Sequence, residues 1–292
     1  MRFSRNRIGF FSIFFVLAVP LACIPSKQMT VSSAATLLED VAKSANKQSD
    51  LRVIREGMPA YLMLVDGMVE AVPNNARLLI TAAQAYSSFA AAFVEETDKD
   101  YAAALYAKAK KYALQSLEVR GLKNPASKPF EQFEEDVTAL GKEDVPYMFW
   151  TATCWGSWIR LNLNSMAAVA ELPRVELLMK RVLALDEQFY YGGPHLFMGI
   201  WFASRPKIAG GDLTKAQYHF EKALEFSRGE FLMTRVYYAD QYARKTLDKD
   251  LFVATLEKVL EITADTNPDL TLLNTVAHKK AKELLEHVNE YF

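Results

Sequence analysis

The side chains of this 292-residue chain that could do chemistry are few. His195, His219, His278 and His287 stand in no HExxH or comparable metal-binding spacing. Gly210-Gly211 is too short for a phosphate-cradling loop and follows no strand. No pair of carboxylates stands apart from ordinary helix-surface charge. Catalysis needs a nucleophile with its base, a metal cluster or a phosphate site, so the chain reads as a non-enzyme with no cofactor and no metal. Two stretches remain. Trp150, Trp155 and Trp158 fall within nine residues and lead to Arg160. Residues 203–212 read Ala-Ser-Arg-Pro-Lys-Ile-Ala-Gly-Gly-Asp, a loop longer than a hairpin turn needs.

Each stretch admits two readings. The tryptophans are either a bulky core or the wall of an apolar cavity with its polar end at Arg160. In the loop, Arg205 and Lys207 either satisfy the carbonyls that end the preceding helix or hold a ligand carboxylate. Gly210 and Gly211 can adopt positive φ, and Asp212 is a good N-cap for the helix that follows. Tyr190-Tyr191-Gly192-Gly193-Pro194-His195 is a cavity lip presenting Tyr191 and His195, or a tight turn between repeats. Cys154, among large aromatics, reads as a small buried hydrophobe rather than a reactive thiol.

These residues must be positioned by helices. Gly and Pro are sparse, Ala, Leu, Glu and Lys are common, and no alternating β-branched runs appear. Leu51, Ile54, Met58, Leu62, Val65 and Val69 share a helical face, with Pro59 predicted to mark the start of the continuous helix. Val72-Pro73-Asn74-Asn75 stops it, and the next helix runs from Ala76 to Val94. Small residues followed by an aromatic three on then recur, each leading to a partner helix. The pairs are Ala83/Tyr86, Ala152/Trp155, Gly199/Phe202 and Ala239/Tyr242. The partner helices carry Ala102/Tyr106/Ala109, Val175/Met179/Val182, Ala216/Phe220/Ala223 and Phe252/Leu256/Val259. The pattern predicts an all-α, irregular tetratricopeptide-like array of four helical hairpins, an α-solenoid. The small-residue markers stand 69, 47 and 40 residues apart, against roughly 34 in a regular repeat. The excess goes into elaborated loops, and a helix through Lys279–Val288 caps the C-terminus.

Charges nearly balance, at a net −1, which gives no footprint for nucleic acid. The N-terminus reads as a targeting segment: Arg2, Arg5 and Arg7, then the apolar run Ile8–Val19, then Pro20-Leu21-Ala22-Cys23. The ending resembles a bacterial lipobox, with Pro20 where leucine is usual. Residues 1–22 are therefore expected to be removed, taking the charge to about −4, and Cys23 to carry lipid. Residues 23–48 read as a tether with a short helix, and 49–292 as the helical domain.

Taken together, the lipobox-like start, Tyr147-x2-Trp150-x4-Trp155-x2-Trp158, the Gly-Gly-Pro-His run, and Ser-Arg-Pro-Lys-Ile-Ala-Gly-Gly-Asp with Ala216-x3-Phe220-x2-Ala223 resemble the TatT family. These are TPR-containing lipoproteins associated with TRAP transporters. The resemblance covers roughly Leu51–Leu260. It implies a periplasmic, lipid-anchored trimer with a ligand-sized pore or cavity, partnering the transporter's substrate-binding subunit and handling a small organic acid or hydrophobic solute. On that implication Trp150, Trp155, Trp158, Arg160, Tyr191, His195, Arg205 and Lys207 are the candidate ligand contacts. The alternative on the residues alone is an envelope TPR adaptor that holds a partner peptide or helix and no small ligand.

Overall fold

The computed structural model describes residues 27–292, with side chains from residue 36 onward. Cys23 and the targeting segment lie outside the described residues. Among those described there is no strand, and no helix is long and apolar enough to cross a membrane.

The helices are α1 (Lys27–Asn46), α2 (Leu51–Ala71), α3 (Ala76–Phe89), α4 (Lys99–Val119), α5 (Phe130–Ala139), α6 (Val145–Leu161) and the single turn α7 (Met166–Val169). They continue with α8 (Leu172–Leu185), α9 (Phe189–Ala203), α10 (Leu213–Phe226), α11 (Met233–Tyr237), α12 (Lys249–Glu261), α13 (Thr271–Glu286) and the short α14 (Val288–Tyr291). The expected hairpins are α3/α4, α6/α8, α9/α10 and α11/α12. Two of their first helices run on into a π-helical turn. α3 continues through Ala90–Val94, and α11 through Tyr238–Ala243.

Small residues opposite aromatics let the paired helices approach closely. A Cβ on Gly199 would lie 3.1 Å from the ring of Phe220, which is fully buried. Ala82, Ala83, Ala102, Ala109 and Ala113 are likewise fully buried between α3 and α4. Excised aromatic bulk in such a seam leaves a cavity that the backbone cannot close. Three apolar clusters follow one another along the array, centred on α3/α4, on α6/α8 and on α10 to α13.

Three expectations need correction. α2 is one helix from Leu51 and runs through Pro59 without a break. Asp50 caps it, accepting from the Arg52 and Val53 N–H groups, and the buried stripe Ile54, Leu62, Val65, Val69 holds it on both sides of the proline. The N-terminal helix is also longer than expected, reaching from Lys27 to Asn46. The excess residues before α6 and α8 are themselves partly helical, as α5 and α7.

The array closes on itself. Tyr61 donates to the Leu38 carbonyl of α1 at 3.2 Å, and Lys47, just past α1, pairs with Asp269 at 3.5 Å. α1 thus bridges α2 and the segment entering α13. From the other side Lys280 and Lys279 of α13 both reach Glu96, which follows α3. Leu51 and Ala92 pack on the C-terminal cluster. Phe220→Ala should cost about 3–5 kcal/mol, read as a lower denaturation midpoint at unchanged m-value; a loss below 1 kcal/mol would show that the α9/α10 seam is not close-packed.

Candidate functional site

The first helices of successive hairpins stand side by side, and their beginnings converge on one aromatic cluster. Trp150 comes from α6, Tyr190 and Tyr191 from the start of α9, and Phe231 from the turn before α11. Ring centroids lie 4.9 Å apart for Trp150–Tyr190, 5.6 Å for Tyr190–Tyr191, and 6.2 and 6.0 Å from Phe231 to the two tyrosines. Phe149 closes the back, 5.1 Å from Trp150. Trp150 and both tyrosines remain half-buried.

The backbone pays for this arrangement. Tyr190, Tyr191 and Gly192 all have positive φ (48°, 59° and 75°). Bulky residues rarely adopt that region, and each costs of order 1–2 kcal/mol there. The turn aims the Tyr190 ring at Trp150 and both phenol rings at Phe231. Gly192 and Gly193 are needed to seat it. A Cβ on Gly192 would lie 3.1 Å from α10 backbone at Ala223, and one on Gly193 would lie 2.7 Å from Phe149. Neither tyrosine hydroxyl has a hydrogen-bond partner among the described residues. Burial, with Tyr191 beside it, pushes the Tyr190 phenol well above its usual range, so it stays a neutral donor.

The far ends of the same helices carry an ionic network. Arg160, in the last turn of α6, makes a bidentate pair with Glu95 at 2.6 and 2.7 Å. Tyr106 of α4 donates to the same carboxylate at 2.7 Å. Glu95 is half-buried; desolvation raises its pKa, but the Arg160 bonds and charge outweigh that, and the net shift is down. Arg160 was expected to meet a ligand carboxylate. Its fork is already filled by this internal one.

The three tryptophans separate. Trp155 is fully buried between α6 and α8 and donates its indole N–H to Glu171, so it is core. Trp158 lies under the Lys110 ammonium, 3.7 Å from ring centroid to Nζ, at a shallow open groove of about 400 Å³ on the α4 side. Lys110 is also paired with Glu171. Only Trp150 faces the tyrosines. Cys154 is buried with its thiol pushed up to about 12 by burial, consistent with an inert packing role.

His195 is nearly fully buried, and its surroundings are internal. Its Nε2 faces Glu187 Oε2 at 3.2 Å and its Nδ1 faces His219 Nδ1 at 2.9 Å. Among the described residues no group of three or more potential ligands could hold a metal. In the 203–212 loop neither Arg205 nor Lys207 donates to the carbonyls ending α9. Gly210 has φ 86° as expected, whereas Gly211 is required for space: a Cβ there would overlap the Arg205 carbonyl. Asp212 caps α10, accepting from Thr214 and Lys215 at 3.1 Å. Arg205 lies flat on Trp201, 3.3 Å from the ring centroid.

Sequence reasoning missed Phe231, Glu95 and Glu171. Tyr190 stood in the run read as a lip or a turn, but nothing local marks a left-handed tyrosine. Phe231 and the two carboxylates become visible only when distant repeats are brought together.

The fold is thus a TPR-like all-α array, closed by a cap and holding an aromatic cluster where three first helices meet. The chain matches the family described as TRAP transporter T-component over residues 47–292, and it belongs to that family. It is also similar to an uncharacterized protein of Treponema pallidum (strain Nichols), 22% identical over 270 residues, covering 87% of this chain and 84% of that protein.

Two outcomes test this geometry. Arg160→Ala leaves Glu95 and Tyr106 without their cation and should cost about 1–3 kcal/mol in chemical denaturation, reduced from a fully buried pair by partial exposure. For the histidines, burial disfavours the charged form, and His219 is pushed down to about 4. The unfolded chain therefore binds more protons below pH ~6.5. The stability this pair contributes is intact above that pH and lost as pH falls towards 4. In thermal melts across that window His219→Gln should flatten the decline; an unaltered slope would exclude the pair as its source.

Proposed function

We propose that this chain is the envelope accessory of a TRAP-type solute importer, docking the transporter's substrate-binding subunit and receiving a small apolar solute at the Trp150–Tyr190–Tyr191–Phe231 cluster. Family membership supports the transporter association. The single observation that carries the solute site is the strained left-handed pair Tyr190–Tyr191. Strain of this kind persists where a function needs the side chains held in place. The rings supply an apolar surface, and the two free phenol hydroxyls supply donors for the polar head of an organic acid. Arg160 acts indirectly, by tying the far end of α6 to Glu95 after α3. No step in this role requires covalent chemistry.

Cys23 fits the reading as a lipid attachment point that keeps the protein at the periplasmic face of a membrane. A trimer, as the family resemblance implies, would set several such clusters around one axis. The test is direct. Titrating the purified protein with medium-chain monocarboxylates should change tryptophan fluorescence. Trp150→Phe should remove most of that signal, and Tyr190→Ala should weaken binding about tenfold, or roughly 1.4 kcal/mol. Binding of every tested carboxylate at equal strength to wild type and Tyr190→Ala would sink the site, and failure to co-purify with the substrate-binding subunit would sink the docking role.

A further inference from the structure

Between its charged ends α2 is apolar on nearly every side. From Gly57 to Val69 the one charged residue is Asp66, and it is turned inward onto Tyr86, Tyr112 and Lys108. A helix that is apolar all round is normally buried all round. Here one side, with Leu62, Val65 and Val69, is buried on the array, and Tyr61 meets α1. The opposite side is left in water. Val53, Gly57, Ala60, Met63, Leu64 and Gly67 recur at threes and fours and are all exposed, Met63 at 75% and Leu64 at 55%. Contiguous exposed apolar faces of this kind mark association surfaces.

The glycines on this face serve no packing inside the chain. A Cβ on Gly57 or on Gly67 would meet no atom within 4 Å, and glycine in an exposed helix interior is less stable than alanine. What glycine and alanine supply is a shallow surface that a second helix can approach closely, with Leu64 as the projecting side chain. Charges bracket the face. Arg52 and Glu70 stand eighteen residues apart, about five helical turns, and so lie on one flank. Arg52 has only its pair with Glu56 of the same helix, both well exposed and the pair correspondingly weak. Glu70 is exposed and has no partner among the described residues.

We propose that the outer face of α2 pairs with the same face of a second copy of this chain, the two helices running antiparallel about a two-fold axis. In such a pair the same flanks of both helices lie on the same side, so Arg52 of each copy comes opposite Glu70 of the other. The same register sets Ala60 against Leu64 and Gly57 against Gly67, placing a projecting side chain over a small one. A parallel pair puts the flanks on opposite sides and leaves both charges unmet. The face is therefore complementary to itself, as an isologous contact requires. One helix pair buries less than the roughly 1,600 Å² of a standard interface, so the association is reversible and concentration-dependent. It closes in twos, is separate from the three-fold assembly in the reading above, and does not rest on that reading.

The experiment is sedimentation equilibrium of the purified protein from about 1 to about 100 µM, with melting of each variant alone. Wild type should double its mass across that range, whatever number of chains the dilute species holds. Leu64→Arg should keep the dilute mass throughout, at an unchanged melting temperature. Arg52→Glu and Glu70→Lys should each weaken the doubling about tenfold. An equimolar mixture of those two should restore it, because each mixed pair then meets two opposite charges. A wild-type mass that stays constant, or doubling of Leu64→Arg at wild-type strength, overturns the pairing. A mixture that associates no more tightly than the separate variants overturns the antiparallel arrangement.

Discussion

Two adjacent carboxylates hold this molecule in its shape. Glu95 and Glu96 follow the π turn at the end of α3, and each is claimed by a different distant element: Glu95 by Arg160 of α6, Glu96 by Lys279 and Lys280 of α13. A solenoid is otherwise a nearest-neighbour structure, in which each repeat touches only the next. Here one short segment binds the second hairpin and the cap at once, and the open array becomes a closed one. The aromatic cluster lies within that closed array, where Trp150, Tyr190, Tyr191 and Phe231 come from three successive hairpins.

The hairpins were legible in the sequence because close helix approach has a local signature. Ala83, Ala109, Gly199, Ala216 and Ala223 are small where an aromatic or a backbone must come near, and Phe220 fills the space that Gly199 leaves. Pro59 misled because the rule for proline is local, while the Asp50 cap and the buried stripe on both sides act over the whole helix. Its ring and missing N–H are accommodated on an exposed face, which a linear reading cannot see.

The candidate site was legible in part. Trp150 and Tyr191 belong to the half-exposed aromatic cluster, but Trp155 and Trp158, named with them, point elsewhere. Helical spacing fixes which residues share a face of α6; it does not say which face meets α8, α4 or the tyrosines. Arg160 and His195 illustrate the same gap. Both were named as ligand contacts, and in the fold their partners, Glu95 and Glu187 with His219, come from the chain itself. Charge type is written in the sequence, whereas satisfaction of that charge is decided by folding. Arg205 is the converse case, since its loop was singled out and folding leaves its guanidinium without an acceptor.

The π turn at Ala90–Val94 acts as an angular spacer. Its Glu95 N–H closes on the Ala90 carbonyl at 2.9 Å, five residues back, which takes up one residue more than an α-turn would. In an α-helix each residue advances the side chains by about 100°. Without the extra residue Glu95 would be swung by roughly that amount away from Arg160, and Glu96 would move off α13 with it. The wide turn, costly as local geometry and rare as a helix type, is thus the phase adjustment that lets one helix end address two distant helices together.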